Sequence, residues 1–180
     1  MPREIEVKFP VENEKDLARK LARIGAKKTG EGLEHSEIFD NGTLRKKGYL
    51  LRLRRFGGKA KLTFKAMITQ KEFKEAEETN LEVTNFDGMK QIIEKLGFPV
   101  FWIYEKKKTK YLLGKTKITI DRLPFATYME IEGSKRDIRC IIRKLGLNPS
   151  KGITETYFEL YEKYCRDKGI GMGNLTFRKG

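Results

Sequence analysis

Several segments of the chain alternate between apolar and charged residues. In the first of them, Glu4, Glu6 and Lys8 alternate with Ile5 and Val7. Successive side chains of a β-strand point to opposite faces, so each segment is predicted to be a strand with one charged face and one apolar face. The alternation and the intervening glycine turns predict eight strands, at about 3–10, 33–39, 48–56, 59–67, 72–84, 98–112, 115–123 and 126–133.

Four further segments have the spacing of three to four residues between apolar positions that is typical of an amphipathic helix. We expect these helices at about 13–24, 87–96, 135–145 and 154–168. Asp87, Ser134 and Thr154 are the predicted N-cap residues of the last three helices, because their side chains can accept hydrogen bonds from free helical amides. A glycine follows each of the first three helices, which is a common termination signal.

The short glycine turns indicate antiparallel strand pairs. Eight such strands can close into a barrel whose interior holds side chains or one small ligand. We therefore predict an α+β fold, a closed eight-stranded antiparallel β-barrel with amphipathic helices packed outside. Residues 1–168 would form a single domain, and the glycine-rich residues 169–180 would form a flexible C-terminal tail.

The direction of the charged faces has two interpretations. In an ordinary β-sandwich the charged faces meet water and the apolar faces form the core. In the alternative, the charged faces line a lumen and the apolar faces lie beneath the helices. Two features favour the lumen: the helices need apolar sheet faces to pack on, and Glu-x-Glu pairs occur on different strands from Arg-x-Arg and Lys-x-Lys pairs.

The separated charges favour a polyphosphate ligand together with a metal. Glu4 with Glu6, and Glu130 with Glu132, place carboxylates about 6.5 to 7 Å apart on one face of a strand. Carboxylate oxygens are ligands that suit Mg²⁺ and Mn²⁺, and arginine and lysine on facing strands would neutralise a polyphosphate. A closed lumen holding only one of these groups would leave buried charge uncompensated.

The composition shows an excess of positive charge and argues against a zinc site. The 180 residues include 39 Lys and Arg against 25 Asp and Glu, a net charge of +14 that favours an anionic partner. Nucleic acid fits this charge but is not favoured, since no recognition-helix pattern accompanies it. His35 is the sole histidine, and Cys140 and Cys165 lack CxxC spacing, which argues against a zinc site.

The sequence also lacks two kinds of targeting segment. No apolar run approaches the roughly 20 residues that a membrane helix requires. The first four residues lead directly into the first predicted strand, without the apolar stretch of a signal peptide. We therefore expect a cytoplasmic protein.

Six motifs follow one another along the chain: Glu4-x-Glu6-x-Lys8, Leu51-Arg52-Leu53-Arg54, Lys61-Leu62-Thr63-Phe64-Lys65, Lys106-Lys107-Lys108-Thr109-Lys110-Tyr111, Ile120-Asp121-Arg122 and Glu130-Ile131-Glu132-Gly133. In order and spacing they resemble the CYTH family of triphosphate tunnel metalloenzymes, which includes class IV adenylate cyclases, thiamine triphosphatases and inorganic tripolyphosphatases. The match spans about residues 3–160. It implies an eight-stranded tunnel that binds a triphosphate together with Mg²⁺ or Mn²⁺.

The resemblance also implies roles for individual residues. The carboxylates on the metal side would be Glu4, Glu6, Asp121, Glu130 and Glu132, with Glu82 assisting through water. The triphosphate clamp would consist of Lys8, Arg52, Arg54, Lys65, Lys106, Lys108 and Lys110. Lys65 would also be the catalytic residue, and which of the three lysines at 106, 108 and 110 face the tunnel stays open.

The sequence departs from the family pattern in three places. Lys108 or Lys110 stands where the family often has an arginine, which gives a point charge in place of a bidentate group. Asn80-Leu81-Glu82 stands where many members have Glu-x-Glu, and the second strand lacks the tyrosine that hydrolases of the family often pair with a lysine. The resemblance favours hydrolysis of a nucleoside, thiamine or inorganic triphosphate. The alternatives are an adenylate cyclase that converts ATP to cyclic AMP and pyrophosphate, and a non-enzymatic polyphosphate or nucleic-acid binder. A homodimer is compatible with each of them.

Overall fold

Eight antiparallel strands close into a barrel, as predicted from the number of strands and from the family resemblance. The structure, a computed structural model, describes residues 3–177. The strands are Arg3–Pro10 (β1), Lys27–Phe39 (β2), Tyr49–Phe56 (β3), Lys59–Gln70 (β4), Lys74–Val83 (β5), Val100–Leu113 (β6), Thr116–Arg122 (β7) and Thr127–Glu132 (β8). Their order around the barrel is β1-β5-β4-β3-β2-β6-β7-β8, so β1 closes the ring by pairing with both β5 and β8.

The four α-helices lie close to the predicted positions, with two corrections to their N-caps. They span Glu14–Arg23 (α1), Phe86–Lys95 (α2), Lys135–Leu145 (α3) and Tyr157–Lys168 (α4), and two short 3₁₀ turns span Arg45–Lys47 and Pro149–Lys151. Asn85, and not Asp87, caps α2. Thr156, and not Thr154, caps α4, because Thr156 and Glu159 exchange the two hydrogen bonds of a capping box.

Three helices cover the apolar outer face of the barrel. Leu21 of α1 and Ile138 of α3 are fully buried in one cluster with Val7 and Ile131 of the sheet. On another side of the barrel, Ile93 of α2 packs in a cluster with Leu53 and Phe39. The apolar faces therefore lie beneath helices, and the charged faces point into the lumen.

The second strand begins earlier than predicted, at Lys27 instead of about residue 33. Residues 27–32 show no apolar alternation, because they include Gly30 and Gly32 and are mostly exposed. This part of β2 is held by main-chain pairing with β6, for example between Glu31 and Thr109. Pairing with a neighbouring strand leaves no periodic signal in the sequence of such a segment.

The segment expected to be a flexible tail contacts β6 in the structure, as far as residue 177. The Leu175 amide donates to the Ile103 carbonyl at 2.9 Å, and the Leu175 carbonyl accepts from the Glu105 amide at 2.8 Å. β7 pairs with β6 only from Lys107 onward, so residues 173–177 occupy the edge that β7 leaves free. Residues 178–180 lie outside the described residues.

None of the helices described between residues 3 and 177 has the length and hydropathy needed to cross a membrane.

The contact of Leu175 with β6 gives a prediction about stability. Leu175 is buried with Trp102, Tyr104 and Tyr157, so Leu175→Ala should lower the free energy of unfolding by about 2 to 4 kcal/mol. Urea denaturation measures this change. Met172→Ala is the matched control, because Met172 is an exposed residue of the same segment. Equal stability of the two variants would contradict the packing of this segment and support a flexible tail.

Candidate functional site

The inward side chains of the barrel surround a cavity of about 1050 Å³. Charged side chains from all eight strands line it: Glu4, Glu6, Lys8, Glu34, Arg52, Arg54, Lys59, Lys61, Lys65, Lys74, Glu78, Glu82, Lys106, Lys108, Lys110, Lys117, Glu130 and Glu132. This set includes every residue proposed from the sequence except Asp121. The structure therefore places both signs of charge in one enclosed space.

Carboxylates are concentrated on the wall formed by β1, β5 and β8. Lys8 lies between two of them, with its Nζ 2.8 Å from Glu6 Oε1 and 3.3 Å from Glu130 Oε2. Lys74 Nζ also contacts Glu6, at 3.0 Å. These two carboxylates outweigh the effect of burial and raise the pKa of Lys8, so Lys8 keeps its charge and compensates the acidic wall.

Lys65 lies between Glu4 and Glu78. It forms ion pairs with both carboxylates, and its Nζ is 2.6 Å from Glu78 Oε2. Burial, with the nearby charges of Glu6 and Glu78, raises the pKa of Glu4 to about 7 although Lys65 opposes this. Burial also acts on Glu78, but Lys65 overcomes it and lowers the pKa of that carboxyl to about 2.

The sequence analysis missed Glu78 and Lys74, although both have the inward parity of β5. Glu78 pairs across the sheet with Lys65, and Lys74 with Glu6. Glu78 also accepts a hydrogen bond from the Asn80 amide. The signal that could have identified this wall is the Glu-x-Asn pair at 78 and 80, whose side chains share the inward face of β5. The next residue on that face is Glu82, which is exposed.

Cations dominate the opposite wall, formed by β3, β2 and β6. Glu34 is the carboxylate buried among them, with its Oε2 3.0 Å from Lys108 Nζ and its Oε1 3.5 Å from Lys106 Nζ. The sequence analysis missed Glu34 as well, because it lies next to the part of β2 that lacks alternation. Burial alone would raise the pKa of Glu34, but the two lysines hold it well below its usual value.

Five cations of the lumen have no carboxylate partner within ion-pair distance among residues 3–177: Arg52, Arg54, Lys59, Lys61 and Lys110. Arg52 donates to the Tyr104 hydroxyl at 3.1 Å, and within the described chain its buried Nε has no hydrogen-bond partner. The charge of Arg52, together with burial, lowers the pKa of Arg54. Burial and the nearby Lys108 lower the pKa of Lys110. This part of the lumen therefore has the electrostatic character of an anion site.

A sequence model of the CYTH domain family matches residues 2–157. The chain belongs to the CYTH family. The resemblance drawn from the six motifs is thus confirmed, and so is the barrel that it implied.

Known proteins similar to this CYTH chain agree with its length and fold. The "Putative adenylate cyclase" of Methanocaldococcus jannaschii is 25% identical over 171 residues, which cover 87% of this chain and 97% of that protein. A solved structure of a protein from Pyrococcus horikoshii OT3 is 29% identical with a TM-score of 0.78, over 87% of this chain and 98% of that one. The "Putative adenylyl cyclase" of Hippeastrum, described as having a dominant triphosphatase activity, is 15% identical with a TM-score of 0.65, over 96% and 98% of the two chains.

Asp121 does not join the glutamates of the CYTH tunnel. It is fully buried, its Oδ2 accepts hydrogen bonds from Lys106 Nζ at 2.7 Å and from the Tyr157 hydroxyl at 2.8 Å, and it does not line the cavity. Tyr157 belongs to α4, so this cluster connects the barrel wall to the helix that lies over one end. Its contacts fit a structural role better than the metal-side role expected from the motif.

The remaining sequence-based assignments are placed as follows. The three lysines at 106, 108 and 110 all line the lumen, which answers the question that the sequence left open. Glu82 is exposed and lies opposite Lys61 in the register of β4 and β5, at the end of the barrel away from α4. The tyrosine that is absent from β2 has a counterpart on the neighbouring strand. Tyr104 of β6 lines the lumen and lies opposite Ser36 of β2.

The donor chemistry of the acidic wall suits a divalent cation, but its arrangement does not form a complete metal site. Among residues 3–177, no three acidic or histidine side chains converge closely enough to bind one ion. The ammonium groups of Lys8 and Lys65 lie between the carboxylates. A metal on this wall would require these lysine side chains to move away from the glutamates, most simply toward an added anion.

The buried cluster around Lys106 gives a second prediction about stability. Lys106→Met leaves the negative charges of Glu34 and Asp121 in the barrel wall without their shared cation, so unfolding should cost about 3 to 5 kcal/mol less. Lys107→Met is the control, since Lys107 is the exposed neighbour on the same strand. Thermal or urea unfolding of both variants measures the difference, and similar losses in both would argue against a buried ion cluster.

Proposed function

We propose that this CYTH chain is a phosphoryl-transfer enzyme that depends on Mg²⁺ or Mn²⁺ and hydrolyses a triphosphate compound inside the barrel. The observation that carries the proposal is the group of five lumen cations without a carboxylate partner, facing a wall of glutamates. Such cations are costly to enclose unless an anion accompanies them. A triphosphate supplies several negative charges in a linear molecule, which matches a row of cations along a strand.

The two arginines of β3 are suited to bind phosphate oxygens. Arg52 and Arg54 are alternate residues with the same inward direction, so their Cα atoms lie about 6.6 Å apart along the strand. A guanidinium group can donate two parallel hydrogen bonds to a phosphate, which fixes orientation as well as neutralising charge. Lys110 and Lys61 extend the positive wall toward the end of the barrel away from α4.

The glutamates across the lumen would hold the metal. The proposed ligands are drawn from Glu4, Glu6, Glu130 and Glu132, and Glu78 joins this group because it shares Lys65 with Glu4. A bound divalent cation would neutralise charge on the phosphate oxygens and polarise the bond to be broken. Lys8 and Lys65, released from the carboxylates, would then be free to contact phosphate.

Lys65 is proposed to act as a positively charged group and not as a base. Glu6 and Glu4 overcome the effect of burial and raise the pKa of Lys65, so its ammonium group stays protonated. A protonated lysine can neutralise a phosphate oxygen and donate a hydrogen bond that positions it. Catalysis of phosphoryl transfer depends mainly on such positioning and charge neutralisation.

The cyclase remains the second candidate, supported by the name of the similar protein of Methanocaldococcus jannaschii. Both reactions would use the same cations and glutamates, and they differ in which phosphorus is attacked. Hydrolysis uses water on the terminal phosphorus, and cyclisation uses the 3'-hydroxyl of ATP on the α-phosphorus. The products therefore distinguish them.

The first test identifies these products. The pure protein is incubated with Mg²⁺ or Mn²⁺ and separately with ATP, tripolyphosphate and thiamine triphosphate, with EDTA as the control. We expect orthophosphate that depends on the divalent cation. Formation of cyclic AMP and pyrophosphate from ATP would instead contradict the proposed hydrolysis and support the cyclase. Absence of any product with both metals would contradict an enzyme and leave a polyphosphate or nucleic-acid binder, whose affinity should fall steeply with salt and need no divalent cation.

The second test concerns the unpaired cations. Arg54→Ala should lower kcat/KM by about 10- to 100-fold, because a charge-assisted hydrogen bond to phosphate contributes about 1.5 to 3 kcal/mol. Arg55→Ala is the matched control, since Arg55 is the next residue on β3 and its guanidinium lies outside the barrel over the Phe86 ring. Steady-state kinetics of both variants measure the effect. If Arg54→Ala behaves like Arg55→Ala, Arg54 does not bind the substrate.

A further inference from the structure

The lumen is not charged along its whole length. On three adjacent strands, the inward residues nearest α4 are apolar, and the charged residues begin further along the same strands. Leu50 precedes Arg52 on β3, Trp102 and Tyr104 precede Lys106 on β6, and Ile38 lies opposite Arg52 on the neighbouring β2. Trp102 lies opposite Ile38, so the change from apolar to charged lining is staggered: it comes between Leu50 and Arg52 on β3 and between Tyr104 and Lys106 on β6.

The apolar part and the charged part belong to one continuous cavity. Its lining includes Arg52 and Arg54, and also a group that we call the apolar chamber, formed by Ile38, Leu50, Met67, Trp102 and Phe158. Phe158 comes from α4, and its ring meets Trp102 edge to face with the ring centroids 5.2 Å apart. The chamber is therefore bounded by three barrel strands on one side, by β4 on another and by α4 at the end, where Arg45 lies over the Phe158 ring and Glu159 and Glu162 also line the cavity.

Tyr104 and Arg52 mark the boundary between the two parts. The ring of Tyr104 stacks on Trp102, with centroids 4.8 Å apart, while its hydroxyl accepts a hydrogen bond from Arg52. Burial alone would raise the pKa of this hydroxyl, but Arg52 and Lys106 outweigh burial and lower it. One residue thus contributes its apolar ring to the chamber and its polar end to the anion site.

The spacing along β3 relates the chamber to the triphosphate. Leu50, Arg52 and Arg54 are alternate residues on the inward face, so neighbouring members of this series lie about 6.6 Å apart. A triphosphate held by Arg52 and Arg54 would have one end within about 7 Å of Leu50. An organic group attached to that end of the triphosphate would therefore lie next to the apolar chamber.

We propose that the apolar chamber binds the organic group of a triphosphate ester, and that the chain therefore selects esters with an aromatic or heterocyclic group over inorganic tripolyphosphate. This inference rests on the proposed function only in placing a triphosphate in the lumen. A flat organic group gains by leaving water for an apolar, largely preformed space. Inorganic tripolyphosphate leaves the same space unfilled and gains nothing from it. The terminal phosphate then points away from α4, toward Lys61 and Lys110.

The test compares affinities, so that it does not depend on turnover. Dissociation constants are measured by calorimetry with Mg²⁺ for methylene-bridged analogues of ATP, of thiamine triphosphate and of tripolyphosphate. We expect at least one of the two organic analogues to bind about tenfold or more tightly than the inorganic one, since filling or emptying an apolar subsite changes binding by roughly this factor. If neither organic analogue binds more tightly, the inference is wrong.

Substitutions then locate the preference. Leu50→Ala should reduce the preference for the organic analogue about tenfold and leave the affinity for the tripolyphosphate analogue within about twofold. Leu51→Ala is the matched control, because Leu51 is the adjacent residue on β3 and packs in the outer apolar cluster beneath α2. Met67→Ala, on the β4 side of the chamber, repeats the test if Leu50→Ala does not fold. An unchanged preference in the folded chamber variant would overturn the inference.

The outcome separates this inference from the proposed function. A protein that shows the preference but forms no product contradicts the enzymatic activity and supports the organic subsite. A protein that hydrolyses all three substrates but binds all three analogues equally supports the activity and overturns the subsite.

Discussion

The need to compensate charge inside a closed barrel governs this structure. Each carboxylate enclosed by the strands would be expensive to bury alone, and so would each ammonium or guanidinium group. The barrel meets this constraint by interleaving lysines among the glutamates of one wall and placing Glu34 among the lysines of the other. The compensation is incomplete at Arg52 and Arg54, and the same imbalance that makes this region costly makes it able to bind an anion. Stability and binding capacity are thus set by one distribution of charges.

Much of this arrangement could be predicted because strand geometry has a period of two. Once Glu4, Glu6 and Lys8 are assigned to one face of β1, their apolar neighbours must lie on the other, and helices with apolar stripes need that second face. The inward direction of Arg52, Arg54 and Lys108 follows from the same parity. The number of antiparallel strands and the family motifs indicated a closed ring, but no local pattern could show its strand order, since β1 meets β5 and β8 only through contacts distant in sequence.

The residues that escaped prediction share a physical reason. Glu34 and Glu78 owe their positions to cross-strand partners, Lys108 and Lys65, and which residues face each other across two strands cannot be read from either strand alone. Asp121 is a different case: its motif suggested a place among the metal-side glutamates, whereas its carboxylate accepts hydrogen bonds from Lys106 and from Tyr157 of α4. The flexible tail was expected from the glycine content of residues 169–180. Glycine content reflects the flexibility of an isolated backbone, and it does not show that the edge of β6 is free for residues 173–177 to contact.

The position of Leu175 on that edge has a consequence for how the protein is made. The β1 strand is the first to leave the ribosome, yet its partner β8 lies more than a hundred residues downstream, and the gap beside β6 is covered only by residues synthesised after α4. Until then the nascent chain exposes an unpaired strand edge next to aromatic side chains, the kind of surface on which chains associate wrongly. The free edge of β6 is therefore covered only once residues 173–177 have been synthesised, and not when the eighth strand appears.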